Sequence, residues 1–516
     1  MKTNSSLSRR DFLKLIALAS ILPAANLADR VASVSDAHTP GVIVIVLDAL
    51  SALNLSLYGY SRRTSPNIER FAGRSTVYHA HYSTANFTSS GTASLLTGTY
   101  PWTHRAFHYE GLVAADKVEA NVFRYWNDSG LCLGFTQNAW ADLLLDQFSP
   151  WLDTHLDLRE FSLDKSFFHR PLFSNDPIAS FRGLNSYALE LEPGWSAASL
   201  LALARKTRLF LRKKDLDQRF QLEYPLGIPQ TLNDADTFFL LADVFDGLMN
   251  LVSHLPPAAL AYLHLYPPHY PYAPSREFMD AFRGGWQPIV KPPAHFLDSV
   301  SKEIQAVIRD TREQYDAYIA SVDDEFGRLI DFMEQEGIFH RNYVVLTSDH
   351  GELYERGVMG HVNPYLYEPL VRVPLVISSP DQTVRVDIHT PTSSVDLVPT
   401  LLFLTGRSVP AACEGVLLPG LGGTEDSQRS IFSLDTKSTH VRGVIEKATV
   451  SLRKGQYKLI AYLGHHGLED EFELFDAQND PEEMSNLTNV AHGIFRDLRN
   501  EIETKLRQIN EPFLLK

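Results

Sequence analysis

The sequence predicts an α/β fold in which a large mixed, mostly parallel sheet is flanked by helices and joined to a smaller C-terminal α+β subdomain. Two β-branched apolar runs, Gly41 to Leu47 and Tyr343 to Thr347, end in polar turns, as buried central strands do. Arg312 to Glu336 carries apolar side chains at helical spacing, which predicts a long amphipathic helix. From about residue 426 the pattern changes to short strands and a final helix, His492 to Ile509.

Length, charge and cysteine content narrow the class of protein. A chain of 516 residues is long enough for one large domain and a smaller one. Its net charge of -15 argues against a surface that coats nucleic acid. Cys132 and Cys413 stand among apolar residues. We therefore expect two buried thiols and no disulfide framework, while a single disulfide between them stays open.

The first residues have the pattern of an export signal. Ser8-Arg9-Arg10-Asp11-Phe12-Leu13-Lys14 precedes an apolar stretch, Leu15 to Leu22, and small residues follow it. This predicts a twin-arginine signal over residues 1–28 and a polar linker over 29–40, with the twin-arginine export machinery as a partner. The apolar stretch is shorter than the about 20 residues that cross a bilayer, and no other segment qualifies. We therefore expect a periplasmic or secreted protein without a transmembrane anchor.

Polar side chains follow three predicted strands at the point where each strand ends. Asp48 follows the first apolar run, and Asp349 and His350 follow the second. A third run, Ala261 to Tyr266, leads to His269. In open α/β sheets, ligands bind beyond the carboxyl ends of the strands. These four side chains are therefore expected at one edge of the sheet.

Thr88 opens a turn of small polar residues that runs into a short apolar helix. The backbone N–H groups and positive dipole end of a helix start suit a tetrahedral oxyanion. A divalent metal that activates a hydroxyl needs several anionic or imidazole ligands, and Asp48, Asp349, His350 and the Thr88 oxygen form such a set. Each piece alone is a weak signal, because a threonine before a helix is more often only an N-cap.

Further segments share their order and spacing with a known family. They are Leu57-Tyr58-Gly59-Tyr60, Thr64 to Ile68, Ala93 to Gly98 with Tyr100-Pro101 and His104, Pro267 to Tyr272, Tyr318 to Asp331, Ser348 to Glu352, Arg372 to Leu375, Ser394 to Thr400, Gly455 to Leu459, and Glu473 to Asp476 with Asn479-Asp480-Pro481. They resemble the sulfatase branch of the alkaline phosphatase superfamily. The resemblance implies an alkaline phosphatase-like catalytic domain over residues 41–425 and a C-terminal subdomain over 426–516. Residues 142–260 lie outside it and are expected to be an insertion or variable region.

The chain departs from the sulfatase pattern at the nucleophile and around it. Sulfatases need Cys or Ser at the position of Thr88 for conversion to formylglycine, and threonine does not form that aldehyde. Threonine here resembles the phosphodiesterases and phosphoethanolamine transferases that form a phospho-threonine. Thr92 replaces an arginine, Ala49 an aspartate, Pro267 an aspartate and His361 a lysine. These departures imply fewer cations around the transferred group.

Together with the export signal, the resemblance implies an exported, metal-dependent hydrolase of phosphate (di)esters in which Thr88 attacks phosphorus. Asp48, Thr88, Asp349 and His350 are the expected ligands of one divalent metal. Ca, Mn, Mg and Zn are not distinguished, and a second metal stays open. His269 and His361 are expected to bind the non-bridging oxygens, protonate the leaving group or help to hold a second metal.

Three alternatives remain beside this hypothesis. The chain could transfer the phospho-group to an acceptor hydroxyl, hydrolyse sulfuric esters on the same site, or be an inactive binding protein on the same scaffold. His264, Lys458 and Tyr58 are predicted to be structural, and Asp323 and Asp396 to cap or orient helices. Oligomeric state and natural substrate stay open.

Overall fold

The computed structural model describes residues 39–127, 130–163, 196–231, 237–437, 439–465 and 469–514. The predicted export signal and all but the last two residues of the predicted linker lie outside these ranges. No helix in the described part of the chain is long and apolar enough to cross a membrane.

The described strands, in chain order, are β1 (Gly41–Leu47), β2 (Thr76–Tyr78), β3 (His81–Tyr82), β4 (Cys132–Thr136), β5 (Thr154–His155), β6 (Leu260–Leu265), β7 (Asn342–Thr347), β8 (Tyr354–Glu355), β9 (Val358–Met359), β10 (Leu375–Ser378), β11 (Val386–Ile388), β12 (Thr392–Ser393), β13 (Ile431–Asp435), β14 (Ala448–Lys454), β15 (Tyr457–Leu463) and β16 (Glu471–Asp476).

The described α-helices are α1 (Pro66–Ala72), α2 (Thr88–Thr97), α3 (Pro101–His104), α4 (Val122–Asn127), α5 (Ala139–Gln147), α6 (Ser196–Arg219), α7 (Leu241–Ser253), α8 (Arg276–Ala281), α9 (Lys302–Gln335), α10 (Glu368–Val371), α11 (Leu397–Leu404) and α12 (His492–Leu514). Short 3-10 turns lie at Ala52–Asn54, Ser56–Tyr58, Ser149–Trp151, Ile338–His340 and Ser394–Asp396.

The main sheet has eight strands in the order β11-β2-β10-β7-β1-β6-β4-β5. Strand β1 lies between β6 and β7 and runs parallel to both. Strand β10 is antiparallel to β7 and to β2, so the sheet is mixed but mostly parallel, as predicted. The register places Val46 beside His264 on one side and Thr347 on the other. Asp48 and Asp349 therefore leave the sheet at the same edge.

Alternate side chains of β1 point to opposite faces of the sheet. Ile43, Ile45 and Leu47 belong to a core that includes side chains of α7 and α9. Val42, Val44 and Val46 belong to a second core with side chains of α2, α4, α5 and α11. Helix α7, from the region predicted to be an insertion, thus contributes to one of the two layers that cover the sheet.

The long helix α9 begins ten residues before the predicted Arg312. Ser301 caps it, because its hydroxyl accepts from the backbone N–H of Ile304 at 3.3 Å. The prediction of the start was wrong because Ile304 and Val307 in the first turns are exposed, so the apolar stripe becomes regular only later. The predicted strands at residues 41–47 and 343–347 are confirmed.

The C-terminal subdomain is a four-stranded antiparallel sheet, β13-β14-β15-β16, with α12 packed on it. Lys458 in β15 is buried and pairs with Glu368 and Glu483, each at 2.9 Å, which agrees with the structural role predicted for it. Cys132 is buried as expected, but Cys413 is only half-buried, and the two thiols are not joined.

Two aspartates cap helices as predicted. Asp323 accepts from the backbone N–H groups of Asn67 and Ile68, both at 2.8 Å, at the start of α1. Asp396 accepts from the N–H of Ser393 at 2.8 Å in a capping box.

Candidate active site

Asp48 lies directly after β1 and is completely buried. Its Oδ1 is 3.5 Å from His350 Nε2, and its Oδ2 is 3.6 Å from His264 Nε2. Burial alone would raise the pKa of Asp48. The nearby imidazoles, His269 first and then His264, outweigh burial and lower that pKa. The carboxylate is therefore the ionised form in this pocket.

Thr88 is the first residue of α2 and is also completely buried. Its Oγ1 lies 3.3 Å from His350 Nε2. Asn138 donates from Nδ2 to Thr88 Oγ1 at 3.3 Å and to Asp48 Oδ2 at 2.5 Å. This single amide therefore holds the hydroxyl and the carboxylate in one hydrogen-bonded group.

The start of α2 lacks a side-chain cap. Phe87 occupies the N-cap position in extended conformation and makes no side-chain capping bond. The first N–H groups of a helix have no partner within it, so here they are available to an anionic group beside Thr88. At position 91, a Cβ would overlap the carbonyl oxygen of Asp349. Gly91 is therefore what allows α2 to approach the Asp349 turn so closely.

Asp349 and His350 occupy the turn after β7. Asp349 Oδ1 accepts from the backbone N–H groups of Ala49, at 3.3 Å, and His350, at 3.0 Å. The Nδ1 of His350 lies 2.8 Å from the carbonyl of Gly351. A carbonyl only accepts, so Nδ1 carries the hydrogen and Nε2 presents a lone pair towards Thr88 and the two carboxylates.

His264, predicted to be structural, belongs to this group as well. Its Nε2 lies 3.6 Å from Asp48 Oδ2 and 3.9 Å from Asp349 Oδ2, and its Nδ1 is 3.1 Å from the hydroxyl of Tyr262. Burial lowers the pKa of His264, but the two carboxylates outweigh it and raise that pKa. One signal in the sequence could have identified His264 as a site residue: it is the polar residue at the fifth position of an otherwise apolar, fully buried strand.

The donors fit a divalent metal. Asp48, His264 and Asp349 offer ligand atoms within 4.8 Å of one another. Within the described residues, Asp48 Oδ1, Asp349 Oδ2 and His264 Nε2 are buried without a hydrogen-bond partner. Buried carboxylates that face each other need positive charge between them. The mixture of carboxylate oxygen and imidazole nitrogen suits a divalent ion.

A second group of acidic and histidine side chains is paired internally. Asp142, Asp146 and His155 also lie within ligand distance of one another. Both nitrogens of His155 are occupied, Nε2 by Asp142 at 3.0 Å and Nδ1 by Asp146 at 3.2 Å. This is an imidazolium paired with two carboxylates rather than a set of free ligands.

His269 and His361 lie beside the metal-type cluster, and their ring centroids are 5.0 Å apart. The ring of His361 is 4.3 Å from that of His350. Burial lowers the pKa of both His269 and His361. His361 Nδ1 is 3.0 Å from Glu352 Oε1. Burial also raises the pKa of Glu352 to about 7.

A cavity of about 470 Å³ opens beside this cluster. Its lining residues are Asn138, Ala139, Trp140, Tyr266, His269, Tyr270, Thr311, Glu352, Tyr354, Met359, Gly360, His361 and Val362. Asn138 is common to the cavity and to the Thr88–Asp48 pair. The cavity therefore leads to the candidate nucleophile.

The model of the Sulfatase family matches residues 40–407, and the model described as N-sulphoglucosamine sulphohydrolase, C-terminal, matches residues 361–512. The first match covers well over half of the chain. The chain belongs to the sulfatase family. Thr88, Asp48 and the Asp349-His350 turn all fall inside the matched range.

Among curated relatives of this sulfatase-family chain, arylsulfatase K of Xenopus laevis is 32% identical over 242 residues. That match covers 43% of this chain and 42% of the relative, so the chain spans less than half the length of that protein. The multifunctional alkaline phosphatase superfamily protein PehA of Trinickia caryophylli is 24% identical, over 82% of this chain and 85% of its own.

The fold has counterparts among solved structures. Phosphonate monoester hydrolase of Agrobacterium radiobacter superposes with a TM-score of 0.64 at 18% identity, covering 91% of this chain and 95% of that one. At this identity the likeness shows the alkaline phosphatase-like fold and no more.

Proposed function

We propose that this sulfatase-family chain hydrolyses phosphate esters, including diesters, with Thr88 as the nucleophile. One observation carries the proposal: Thr88 Oγ1 stands at the uncapped start of α2, 3.3 Å from His350 Nε2 and 3.3 Å from Asn138 Nδ2. Covalent catalysis needs such a hydroxyl beside groups that orient it and stabilise charge.

Two side chains orient the Thr88 hydroxyl. Asn138 Nδ2 donates to Thr88 Oγ1, and the single lone pair of His350 Nε2, 3.3 Å from that oxygen, either accepts the hydroxyl hydrogen or binds the metal. This leaves an oxygen lone pair for attack on phosphorus, while the N–H groups at the start of α2 stabilise charge on the non-bridging oxygens.

Asp48, His264, Asp349 and His350, with the Thr88 oxygen, would hold a divalent metal that lowers the pKa of the hydroxyl and neutralises charge on the ester. This set adds His264 to the ligands predicted from the sequence. The residues around it position the substrate and move protons.

His269 and His361 are proposed to serve the leaving group and the attacking water. His361 donates from Nδ1 to Glu352 Oε1, and His269 donates from Nδ1 to the carbonyl of Tyr270 at 2.5 Å. Each ring therefore keeps Nε2 for a proton from water or for the oxygen of the leaving alcohol. Because both rings lie beside the cavity, a substrate there would contact them.

Phosphate is proposed over sulfate because threonine cannot form the aldehyde hydrate that the family resemblance associates with sulfate release. The experiment compares one aryl alcohol as its phosphate monoester, phosphate diester and sulfate ester, with metal-loaded protein. We expect faster turnover of the phosphate esters. A rapidly quenched reaction should carry a phosphoryl adduct on the peptide that contains Thr88.

Other results of the ester comparison would indicate other functions. Faster turnover of the sulfate ester would replace this proposal with sulfuric ester hydrolysis at the same residues. Transfer of the phospho-group to an added alcohol in preference to water would indicate a transferase. If the metal-loaded protein turns over none of the three esters, the proposal fails and the binding-protein alternative takes its place.

We also propose export through the twin-arginine route. The support is the Ser8-Arg9-Arg10 pattern followed by an apolar stretch.

A further inference from the structure

The walls of the cavity beside the candidate site are largely aromatic. Trp140 comes from the first turn of α5, Tyr266 and Tyr270 from the turn after β6, and Tyr354 from β8. Four aromatic rings from three parts of the chain thus line one space of about 470 Å³. This volume is in the range of pockets that bind a small organic group.

The described lining residues include no Lys or Arg, and Glu352 is the one carboxyl group among them. Met359 and Val362 continue the apolar surface towards solvent, with exposed fractions of 48% and 62%. A negatively charged group placed here would find no counter-ion in the lining.

One cation of the C-terminal subdomain, Lys437, lies near the rim of the cavity, where its Nζ donates to the carbonyl of Asn363 at 3.3 Å, next to Val362. Lys437 donates from Nζ to Asp435 Oδ2 at 2.9 Å and to Asn86 Oδ1 at 3.0 Å. Its ammonium also lies over the ring of Phe87, 4.6 Å from the centroid. Lys437 therefore braces the turn before Thr88, and it is not among the residues that line the cavity.

We propose that the alcohol part of the substrate is aromatic or otherwise apolar and carries no negative charge. The inference rests on the proposed ester hydrolysis and adds the substrate class for the same site. An aromatic group gains contact area against Trp140 and the tyrosines. A second sulfate, phosphate or carboxylate on the alcohol would lose its hydration without a partner and face Glu352.

The test uses two esters that differ by one carboxylate. They are the 4-nitrophenyl and the 3-carboxy-4-nitrophenyl esters. Both are phosphate esters if the protein hydrolyses phosphate esters, and both are sulfate esters if it hydrolyses sulfate esters. Both release a coloured phenolate. We expect kcat/KM for the carboxylated ester to be lower by about tenfold or more, mainly through a higher KM.

A variant tests whether the cavity causes the discrimination. Met359→Lys places a cation on the exposed rim of the cavity and should narrow the ratio between the two esters severalfold by favouring the carboxylated one. The matched control is Val384→Lys, at an exposed residue outside the cavity, which changes net charge equally and should leave the ratio unchanged.

The outcomes separate this inference from the proposed function. Equal kcat/KM for the two esters, or a ratio that Met359→Lys does not narrow, would overturn the substrate class while leaving ester hydrolysis intact. If neither ester is hydrolysed, hydrolysis itself has failed. The cavity is then tested by calorimetric binding of 4-nitrophenol against 5-hydroxy-2-nitrobenzoate, where equal or reversed affinity contradicts the inference.

Discussion

Thr88 and His350 are 262 positions apart in the chain, and the Thr88 hydroxyl oxygen lies 3.3 Å from His350 Nε2. Three structural features bring the two residues together: the parallel pairing of β1 with β7, the start of α2 at Thr88, and a glycine where α2 crosses the Asp349 turn.

Removing the Thr88 hydroxyl should abolish turnover without unfolding the protein. We expect Thr88→Ala to lower kcat by about a thousandfold or more, because the variant has no nucleophile, while its melting temperature changes little. Thr88→Ser should retain part of the activity. Thr97→Ala, at the other end of the same helix, is the control and should keep turnover. Wild-type kcat in Thr88→Ala would contradict the assignment.

His264 should be needed for metal binding. His264→Gln removes an imidazole whose Nε2 faces Asp48 and Asp349, so metal affinity should fall by about tenfold or more. Asp349→Asn should do the same. His155→Gln, at the charge-paired cluster, should leave the metal content unchanged. Elemental analysis and equilibrium dialysis of the purified variants measure metal content and metal affinity. Full metal occupancy in His264→Gln would exclude His264 as a ligand.

A single methyl group added at Gly91 should disturb the close packing of α2 against the Asp349 turn. In Gly91→Ala the new Cβ would overlap the Asp349 carbonyl, so the helix and Thr88 must shift. Misplacement of a reacting group by about 1 Å costs on the order of 100-fold in rate. Gly493→Ala in α12, where a Cβ meets nothing within 4 Å, is the control. Unchanged kinetics in Gly91→Ala would show that the contact does not position Thr88.

The pair of carboxylates around His155 should make stability depend on pH. Burial lowers the pKa of His155, but hydrogen bonds to Asp142 and Asp146 outweigh it and raise the pKa to about 9. The unfolded value is about 6.5. The ion pairs of His155 therefore contribute fully to the free energy of unfolding below about pH 6.5, and this contribution is lost as the pH rises through about 9.

His155→Gln measures this contribution by chemical denaturation at several pH values. Near pH 6 the variant should be less stable than wild type by on the order of 2 kcal/mol, and near pH 10 the difference should largely vanish. His340→Gln, whose pair with Asp381 is mostly exposed, should show only a small difference at any pH. If the difference in unfolding free energy between His155→Gln and wild type grows with pH, the prediction of a raised His155 pKa is contradicted.

Export should depend on the arginine pair. Because the route reads both side chains through a receptor, Arg9→Lys/Arg10→Lys should leave the precursor inside the cell, as measured by fractionation and immunoblotting. A Lys14→Arg variant keeps the pair and should be exported. Normal export of the double variant would exclude the twin-arginine route.

The amino-acid pattern alone predicted the fold class and most residues of the candidate site. Apolar runs that end in Asp48 and in Asp349-His350 locate central strands and their polar ends, because a buried parallel strand leaves little choice of residue. The long helix was recognised but begins earlier than predicted, since its first turns are exposed and lack the apolar stripe.

Strand register and helix packing place two further side chains, His264 and Asn138, in the candidate site. His264 was assigned a structural role because a lone histidine in a strand does not reveal what faces it, yet the register of β6 with β1 sets it beside Asp48. Asn138 looks like a helix cap in the sequence and is one, but its amide also reaches Thr88 and Asp48. Local patterns specify elements, whereas contacts across hundreds of residues depend on strand order, register and helix packing.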